Sequence, residues 1–216
     1  MNDKLNQKNF WDRVAGDKKF TTPFQMSLFA EYVSKNSYIL DVGCGYGRTL
    51  NELYFSGYKK LIGVDFSEKM VESGKDKHPF LDLRVNNSSE LPFYDDSFDA
   101  VIIIAVLTCI AEDDNQKRLV KEINRVLKPG GIFYLNDFII NDDVRNIERY
   151  KKYEGKYKKY GVFELPEGAV LRHHTKEWII KLNSVFKKIL LKSTEYKTMN
   201  GHKSNGLYYM GRSIKN

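Results

Sequence analysis

A glycine-rich segment with an acidic residue in front of it is the clearest chemical signal in the sequence. The segment Asp41-Val42-Gly43-Cys44-Gly45-Tyr46-Gly47 follows a short apolar run and precedes a helical pattern. Glycines at such a junction let the backbone approach a ligand and turn into a helix N-terminus. The spacing is GxGxG, and it matches neither the GxGxxG dinucleotide pattern nor the GxxxxGK[ST] phosphate loop. Because Asp41 would repel a pyrophosphate, the segment favours a ligand with an amino group and a sulfonium.

A second acidic residue, Asp65, ends the next apolar run of the chain. A carboxylate at this point accepts hydrogen bonds from both hydroxyls of a ribose, as the acid about 20 residues on does in dinucleotide-binding folds. The alternative is a surface residue that caps the following helix, but Ser67 is better placed as that cap. We therefore predict that Asp65 binds a ribose.

Short apolar runs alternate with helical patterns along most of the chain, and this alternation sets the fold class. The predicted strands are 38–42, 61–65, 81–85, 98–106, 132–135, 189–191 and 207–210. The predicted helices are 5–20, 24–35, 48–56, 67–75, 113–126 and 176–186. Strands that alternate with helices predict parallel βαβ units, and hence an α/β, doubly wound sheet with helices on both faces.

Two segments do not follow that alternation. Residues 1–35 are predicted as two helices, and the insertion 138–175 as one polar helix followed by an irregular segment. Ligands of such sheets bind at the carboxyl ends of the strands. We therefore predict a single domain, 1–216, in which residues 1–35 and 138–175 form a substrate cap over that edge.

Five motifs occur in a fixed order and resemble those of the class I S-adenosylmethionine-dependent methyltransferases, in the branch that acts on small molecules. They are DVGCGYG, GVDFSEKM, SSELPFYDDSFDAV, VLTCI and EINRVLKPGG. The resemblance covers about residues 10–137 and both terminal strands. It implies a Rossmann-like seven-stranded sheet whose last strand is antiparallel. It also implies S-adenosyl-L-methionine as cofactor and S-adenosyl-L-homocysteine as product.

For the methionine end of that cofactor, the resemblance implies contacts along the glycine loop. Asp41 and the glycine backbone would hold it, with Gly43, Gly45 and Gly47 assigned as cofactor-binding. Ala105, at the end of the fourth predicted strand, would offer its carbonyl to the methionine amino group.

For the adenosine end, the resemblance implies four further contacts. Asp65 would bind the ribose, Phe66 would pack on adenine, and Ser88 would add a backbone N–H. Asn87 stands where the family usually has Asp, and its carbonyl oxygen can still accept from the exocyclic amine of adenine.

Aromatic residues of the N-terminal segment are predicted to reach the cofactor. Trp11 and Phe20 would close over it, and Phe20 stands where many relatives have an aromatic residue. The alternative for Trp11 is an anchor that holds its helix to the body of the protein.

The densest polar cluster of the insertion is Arg172-His173-His174-Thr175. His173 or His174 is predicted as a general base or substrate contact, with Arg172 as a further substrate contact. The alternative is that these side chains form hydrogen bonds where a helix begins. His202 precedes the last strand and is predicted to approach the substrate. Adjacent histidines point in different directions and no HExxH or Cys-rich spacing occurs, so no metal is expected.

The segment from Tyr150 to Tyr160 interleaves tyrosines with lysines. One interpretation is an RNA-binding strip whose rings stack bases. The favoured interpretation is a lid helix whose lysines face solvent, with Tyr153 and Tyr157 lining an acceptor pocket, since aromatic rings suit apolar or cationic small molecules.

The charge is unevenly distributed along the 216 residues. The net charge is +7, with +9 in residues 138–216 and −2 in residues 1–137. A nucleic-acid partner is therefore possible, but a small-molecule substrate is favoured. With only Cys44 and Cys109, no leader pattern and no apolar run of about 20 residues, we expect a cytoplasmic monomer or homodimer without a membrane span.

Three functions compete at this point. The first is methylation of a small molecule by in-line displacement, and the second is methylation of RNA or protein by way of the basic cap. Residues 105–108 (AVLT) lack the [ND]PP[YF] motif of amine-methylating relatives, which counts against the second. The third is a non-catalytic cofactor-binding regulator, which the complete glycine loop and Asp65 disfavour.

Overall fold

The computed structural model describes residues 2–16, 20–198 and 201–215. Its helices are α1 (Asn2–Val14), α2 (Met26–Ala30), α3 (Arg48–Phe55), α4 (Glu68–Lys77), α5 (Asp113–Val126), α6 (Val144–Tyr157) and α7 (Lys176–Leu182). Its strands are β1 (Tyr38–Val42), β2 (Lys60–Asp65), β3 (Asp82–Val85), β4 (Phe98–Ile104), β5 (Leu127–Phe138), β6 (Val162–Glu164), β7 (Val170–Arg172), β8 (Phe186–Lys197) and β9 (Lys203–Ser213).

Seven of these strands form one mixed sheet in the order β3-β2-β1-β4-β5-β9-β8. Strands β1 to β5 pair in parallel, whereas β9 runs antiparallel to both β5 and β8. The predicted seven-stranded α/β sheet with an antiparallel last strand is therefore confirmed. The strand order reverses between β1 and β4, which makes their carboxyl ends the switch point where such sheets bind ligands.

Strand β4 lies at the centre of the sheet and is buried on both faces. Ala100 and Ile102 belong to one apolar cluster, and Val101 and Ile103 belong to another. Because successive side chains of a strand point to opposite faces, the two clusters lie on opposite sides of β4. This double burial explains the near-continuous apolar run that predicts a central strand.

The N-terminal helices are shorter than predicted. The first predicted helix, 5–20, is observed as Asn2–Val14, and residues 17–19 lie outside the described residues. The second, 24–35, is observed only as Met26–Ala30. Its C-terminal part is a turn in which the Ser34 hydroxyl accepts the Asn36 N–H at 3.2 Å, a local bond that competes with the helix.

The insertion contains an element that the sequence does not predict. The C-cap of α6 is Lys158, which has the left-handed backbone conformation. After it, β6 and β7 form an antiparallel hairpin. Each of these strands has three residues, too few to show an alternating pattern. The predicted irregular segment is therefore wrong over this hairpin.

The last two strands extend well beyond the predicted 189–191 and 207–210. Strand β8 is the edge of the sheet, and its exposed lysines interrupt the alternation of apolar and polar residues that would predict a strand. They include Lys187, Lys188 and Lys192. Asn200, part of the predicted connection between them, lies outside the described residues. In the part of the chain that the structure covers, no helix has the length and apolarity needed to cross a bilayer.

Candidate active site

A cavity of about 830 Å³ lies at the carboxyl ends of β1, β2 and β4. Most of the predicted site residues line it: Trp11, Phe20, Asp41, Gly43, Gly45, Asp65, Phe66, Asn87, Ser88, Ala105, His173 and His202. Five predicted site residues are not in its lining: Gly47, Tyr153, Tyr157, Arg172 and His174. The structure therefore brings together both ends of the predicted cofactor site and two of the predicted substrate contacts.

The glycine loop presents bare backbone to the cavity. Gly43 and Gly45 have φ of 75° and 54°, the left-handed region that favours glycine. A Cβ on Gly43 would lie 2.5 Å from Val106 Cγ2, and a Cβ on Gly45 would lie 2.5 Å from Phe20 Cε2. Side chains at either position would therefore collide with residues of the cavity wall.

Gly47 serves the packing of the fold instead. It is the N-cap of α3 with φ of 83°, and a Cβ there would lie 3.1 Å from Leu81 and 3.2 Å from Leu83. Because it faces β3 and not the cavity, its predicted cofactor contact has no support in the structure.

Asp65 is buried and held by backbone donors on both carboxylate oxygens. The Gly45 N–H donates to Oδ2 at 2.8 Å, and the Ser67 N–H donates to Oδ1 at 2.9 Å. Burial raises the pKa of Asp65 to about 6, and these two hydrogen bonds oppose the rise. Ser67 caps α4 by accepting the Met70 N–H at 3.1 Å, which confirms that Asp65 is not the cap.

Asp41 is buried in the cavity wall, and among the described residues its carboxylate has no hydrogen-bond partner. Burial raises the pKa of Asp41 to about 7, against the attraction of Arg48 and with a small contribution from Asp65. An unpaired carboxylate in a cavity favours a positively charged or hydrogen-donating ligand, since such a ligand would offset the cost of burying the charge.

Replacing Asp41 with asparagine is expected to stabilise the protein at pH 8. A carboxyl whose folded pKa is about 7 costs folding free energy as pH rises from about 4, and the full cost is reached above pH 7. The expected gain is ~1–4 kcal/mol at pH 8 and smaller at pH 5. Urea unfolding at both pH values measures this gain. An Asp41→Asn variant that is less stable than wild type at pH 8 would contradict the raised pKa of Asp41.

The loop after β3, where two of the adenine contacts are predicted, forms one side of the cavity. Phe66, Asn87 and Ser88 line it, and Asn87 and Ser88 are exposed. The Ser88 N–H, a predicted adenine donor, donates at 3.2 Å to Asn86 Oδ1, while the Asn86 N–H bonds the Asp65 carbonyl. The loop is thus tied directly to the end of β2.

Ala105 directly follows β4 and has a backbone conformation that costs energy. Its φ of 55° is left-handed, which is unfavourable by roughly 1–2 kcal/mol for a residue with a Cβ. Its N–H donates to the Asn136 carbonyl at 2.7 Å. Such strain concentrates where a backbone group is held for a ligand, in agreement with the predicted role of the Ala105 carbonyl.

The predicted aromatic pair lies against the glycine loop. The Phe20 ring stacks on Tyr46 with a centroid distance of 5.0 Å and an interplanar angle of 9°, and Trp11 is 6.1 Å from Phe20. Both predicted residues line the cavity, so the placement fits a cover over the cofactor.

His173 is a buried cavity residue with two polar groups close to one of its ring nitrogens. The Tyr150 hydroxyl lies 2.6 Å from Nδ1, and the Asn141 amide nitrogen lies 3.1 Å from it. The Asn141 amide is fixed in orientation because its oxygen accepts the Asn205 N–H and its nitrogen donates to the Ile139 carbonyl. Since the Asn141 amide nitrogen also donates to Ser204 Oγ at 3.1 Å, the Tyr150 hydroxyl is the closer donor for the single lone pair of Nδ1. This arrangement favours the tautomer with the ring proton on Nε2.

This tautomer decides between the two predicted roles of His173. Burial, aided by Arg149, lowers the pKa of His173 well below its ordinary value, so the ring is neutral at pH 7. A neutral ring with its proton on Nε2 offers the cavity a donor, which fits the predicted substrate contact. It does not fit the predicted general base, which needs an available lone pair.

His174 is a structural residue and is not brought to the cavity. Its Nε2 lies 3.1 Å from Gln116 Nε2, which also donates to the carbonyls of Leu107 and Ile110. Burial, with Arg172 nearby, lowers the pKa of His174 to about 3. The predicted catalytic role of His174 is therefore unsupported, because its ring connects the segment after β7 to Gln116 of α5.

Three predicted substrate contacts also lie elsewhere. Arg172 is buried, donates to the Ala111 carbonyl at 2.9 Å and pairs with Asp113 at 2.6 Å, so its charge is already neutralised. Tyr153 and Tyr157 are half-buried on α6 outside the cavity lining. Among residues with described side chains, no three His, Cys, Asp or Glu groups are placed to hold a metal ion.

The insertion instead supplies cavity residues that the sequence analysis does not identify. They are Arg145 and Arg149 of α6, Phe163 of β6 and Phe138 at the end of β5. The i, i+4 spacing of the two arginines on a predicted helix was an available signal. Phe163 had none, since it belongs to the unpredicted hairpin.

Comparison with known proteins supports the fold. Residues 40–135 match the family model described as "Methyltransferase domain". A crystal structure of an S-adenosylmethionine-dependent methyltransferase from Methanosarcina mazei superposes with a TM-score of 0.83 at 26% identity, covering 90% of this chain and 99% of that one.

Two relatives show how far the sequence similarity extends. An uncharacterised protein of Methanocaldococcus jannaschii is 31% identical over 172 residues, which are 73% of this chain and 63% of the relative. A demethylmenaquinone methyltransferase of Renibacterium salmoninarum is 37% identical over 134 residues, 62% of this chain and 50% of the relative. Others carry tRNA methyltransferase names. The chain thus spans less than two thirds of the length of the curated relatives it matches.

The fold defines the class as a Rossmann-like α/β protein with a ligand site at the switch point between β1 and β4. Residues 40–135 are a methyltransferase domain, and the crystal structure that superposes on most of the chain is that of an S-adenosylmethionine-dependent methyltransferase. The residues present fit the cofactor of that family. Asp41 offers an unpaired carboxylate, and the bare backbone of Gly43 and Gly45 leaves room for close approach.

Proposed function

We propose that the protein transfers a methyl group from S-adenosyl-L-methionine to a small-molecule acceptor bound beside the insertion 138–175. One observation carries this proposal: a single cavity contains both the glycine loop and the insertion residues Arg149 and His173. Its volume of about 830 Å³ lies within the roughly 300–1,000 Å³ range of small-molecule sites. The demethylmenaquinone methyltransferase among the relatives supports a small acceptor.

The residues of the cavity would act mainly by placing the reactants. The bound cofactor supplies a methyl group that is activated by a positively charged sulfur. Asp65 and the glycine loop would fix its position, with Trp11 and Phe20 excluding water. The His173 Nε2–H would hold the acceptor. No residue of the chain is assigned as a base, since only an acceptor that must lose a proton needs one.

The second candidate is methylation of RNA, which the relatives with tRNA methyltransferase names and the basic residues 138–216 favour. The structure offers this candidate little support at the segment 150–160. Tyr150 is fully buried, and Lys159 pairs with Asp113 at 2.5 Å. Neither side chain is therefore available to a base or a phosphate.

Transfer of radioactive methyl groups separates these functions. The protein and labelled S-adenosyl-L-methionine are incubated with an ultrafiltered metabolite extract or with total tRNA, and Asp65→Ala sets the background. We expect label in the small-molecule fraction. Label only in tRNA would overturn the proposal in favour of the second candidate, and cofactor binding without any transfer would favour a non-catalytic role.

A further inference from the structure

Two arginines of α6 form a positively charged wall of the cavity. Arg145 and Arg149 are four residues apart, so they lie on one side of the helix, and both line the cavity. The Arg149 guanidinium carbon lies 3.5 Å from the ring centroid of Phe163, which is itself buried and lines the cavity. Stacking on a fixed ring holds the guanidinium plane in place.

The charge of Arg149 is not neutralised by the protein. Within the part of the chain that the structure describes, no carboxylate lies within ion-pair distance of Arg149, and its buried Nε has no hydrogen-bond partner. Arg145 forms a long ion pair with Asp143, with 3.8 Å between Nε and Oδ1. Burial, more than any other cause, lowers the pKa of Arg149; Arg145 adds to this effect, while Tyr150 and Asp143 oppose it.

The cavity wall holds further charged side chains of both signs, and its other cations are Lys8, Arg48 and Arg118. Its carboxylates are Asp41 and Asp65 at the glycine loop and Glu112 at the N-cap of α5. None of them forms an ion pair with Arg149. Arg149 is half-buried, and a partly buried cation without a counter-charge is costly, so an anion placed beside it would offset that cost.

The groups around Arg149 indicate the kind of anion. His173 is neutral and offers an Nε2–H, so it adds no positive charge at this wall. Arg145 is exposed, which leaves Arg149 as the less exposed of the two cations of α6 that line the cavity. One half-buried guanidinium without an ion-pair partner matches a monoanion, and its planar fork matches a carboxylate. The rest of this wall is apolar: Phe138, Phe163, Leu165, Ala169, Val170 and Leu171.

We propose that the acceptor is an aromatic or similarly apolar carboxylate, whose carboxylate is bound by Arg149 with the His173 Nε2–H beside it. This inference rests on the proposed function, because it names the acceptor class of that site. Phe138, which stacks on His173 with an interplanar angle of 16°, would give the apolar body of the acceptor a flat surface.

Calorimetry with simple probes tests this assignment. The probes are 4-hydroxybenzoate, its neutral amide 4-hydroxybenzamide and phenyl phosphate, each titrated into protein saturated with S-adenosyl-L-homocysteine. We expect the benzoate to bind at least 10-fold more tightly than the amide and the phosphate. Equal affinity for benzoate and amide, or a preference for phenyl phosphate, would overturn the carboxylate assignment.

Variants locate the binding to the arginine. Arg149→Gln is expected to weaken benzoate at least 10-fold, Arg149→Lys to weaken it less, and neither to change affinity for the amide or for S-adenosyl-L-homocysteine. The matched control is Lys151→Gln, which removes one positive charge from an exposed position of the same helix. An equal loss in Lys151→Gln, or no loss in Arg149→Gln, would contradict the proposal.

The same titrations distinguish a failure of the carboxylate assignment from a failure of the proposed function. Wild-type protein that binds S-adenosyl-L-homocysteine but none of the probes contradicts the carboxylate assignment alone. Wild-type protein that does not bind S-adenosyl-L-homocysteine contradicts the proposed function itself. Unchanged affinity of Arg149→Gln for S-adenosyl-L-homocysteine shows that this variant is folded.

Discussion

Asp65→Ala is expected to weaken S-adenosyl-L-methionine binding at least 100-fold. The carboxylate is buried in the cavity wall and oriented by the N–H groups of Gly45 and Ser67. Hydrogen bonds to a charged group contribute about 1.5–3 kcal/mol each, and a ribose would lose two of them. Since 1.4 kcal/mol is tenfold in affinity, the loss spans roughly two to four powers of ten. Calorimetric titration of wild type and variant measures it.

The matched control for Asp65→Ala is Asp82→Ala. Asp82 also belongs to the sheet, but it is exposed and pairs with Arg84 at 2.5 Å, an interaction of little energetic weight at the surface. Asp82→Ala should bind the cofactor as wild type does. Cofactor affinity that is unchanged in a folded Asp65→Ala variant would refute the ribose assignment.

Gly43→Ala is expected to prevent cofactor binding and to destabilise the fold. A Cβ at this position would lie 2.5 Å from Val106 Cγ2, and the residue would have to hold φ at 75°. The left-handed backbone costs about 1–2 kcal/mol and overpacking a further ~1–3 kcal/mol. Urea unfolding and calorimetry together measure both effects.

Gly130→Ala measures the backbone part of that effect, so its difference from Gly43→Ala gives the steric part. Gly130 has the same φ of 75°, but a Cβ there would meet nothing within 4 Å. This variant should show the backbone cost alone and should bind the cofactor normally. If Gly43→Ala and Gly130→Ala proved equally stable and bound the cofactor equally, close approach at Gly43 would be the wrong explanation.

The cofactor half of the site is predictable from sequence because its signals are local. Asp41, the glycines and Asp65 are each adjacent to an apolar run that is recognisable as a strand. Parallel strands bring their carboxyl ends to one edge, so the topology alone brings Asp41 and Asp65 together. Gly47 is the exception, because the same local pattern does not show that it faces β3.

The acceptor half depends on contacts between distant residues. The helical period places Arg145, Arg149 and Tyr153 on one stripe of α6, but tertiary packing decides which end of it meets the cavity. Likewise, nothing near His173 in sequence shows that Asn141 and Tyr150 hold its Nδ1, whereas His174 turns to Gln116. Adjacent histidines therefore have different roles that only the fold reveals.

The central claim is that the cavity at the ends of β1, β2 and β4 binds the cofactor of the methyltransferase family. Isothermal titration of the wild-type protein with S-adenosyl-L-homocysteine, repeated with S-adenosyl-L-methionine, tests it most directly. We expect saturable binding of both molecules, with one site per chain. Folded protein that gives no binding heat and no thermal stabilisation with either molecule would contradict it.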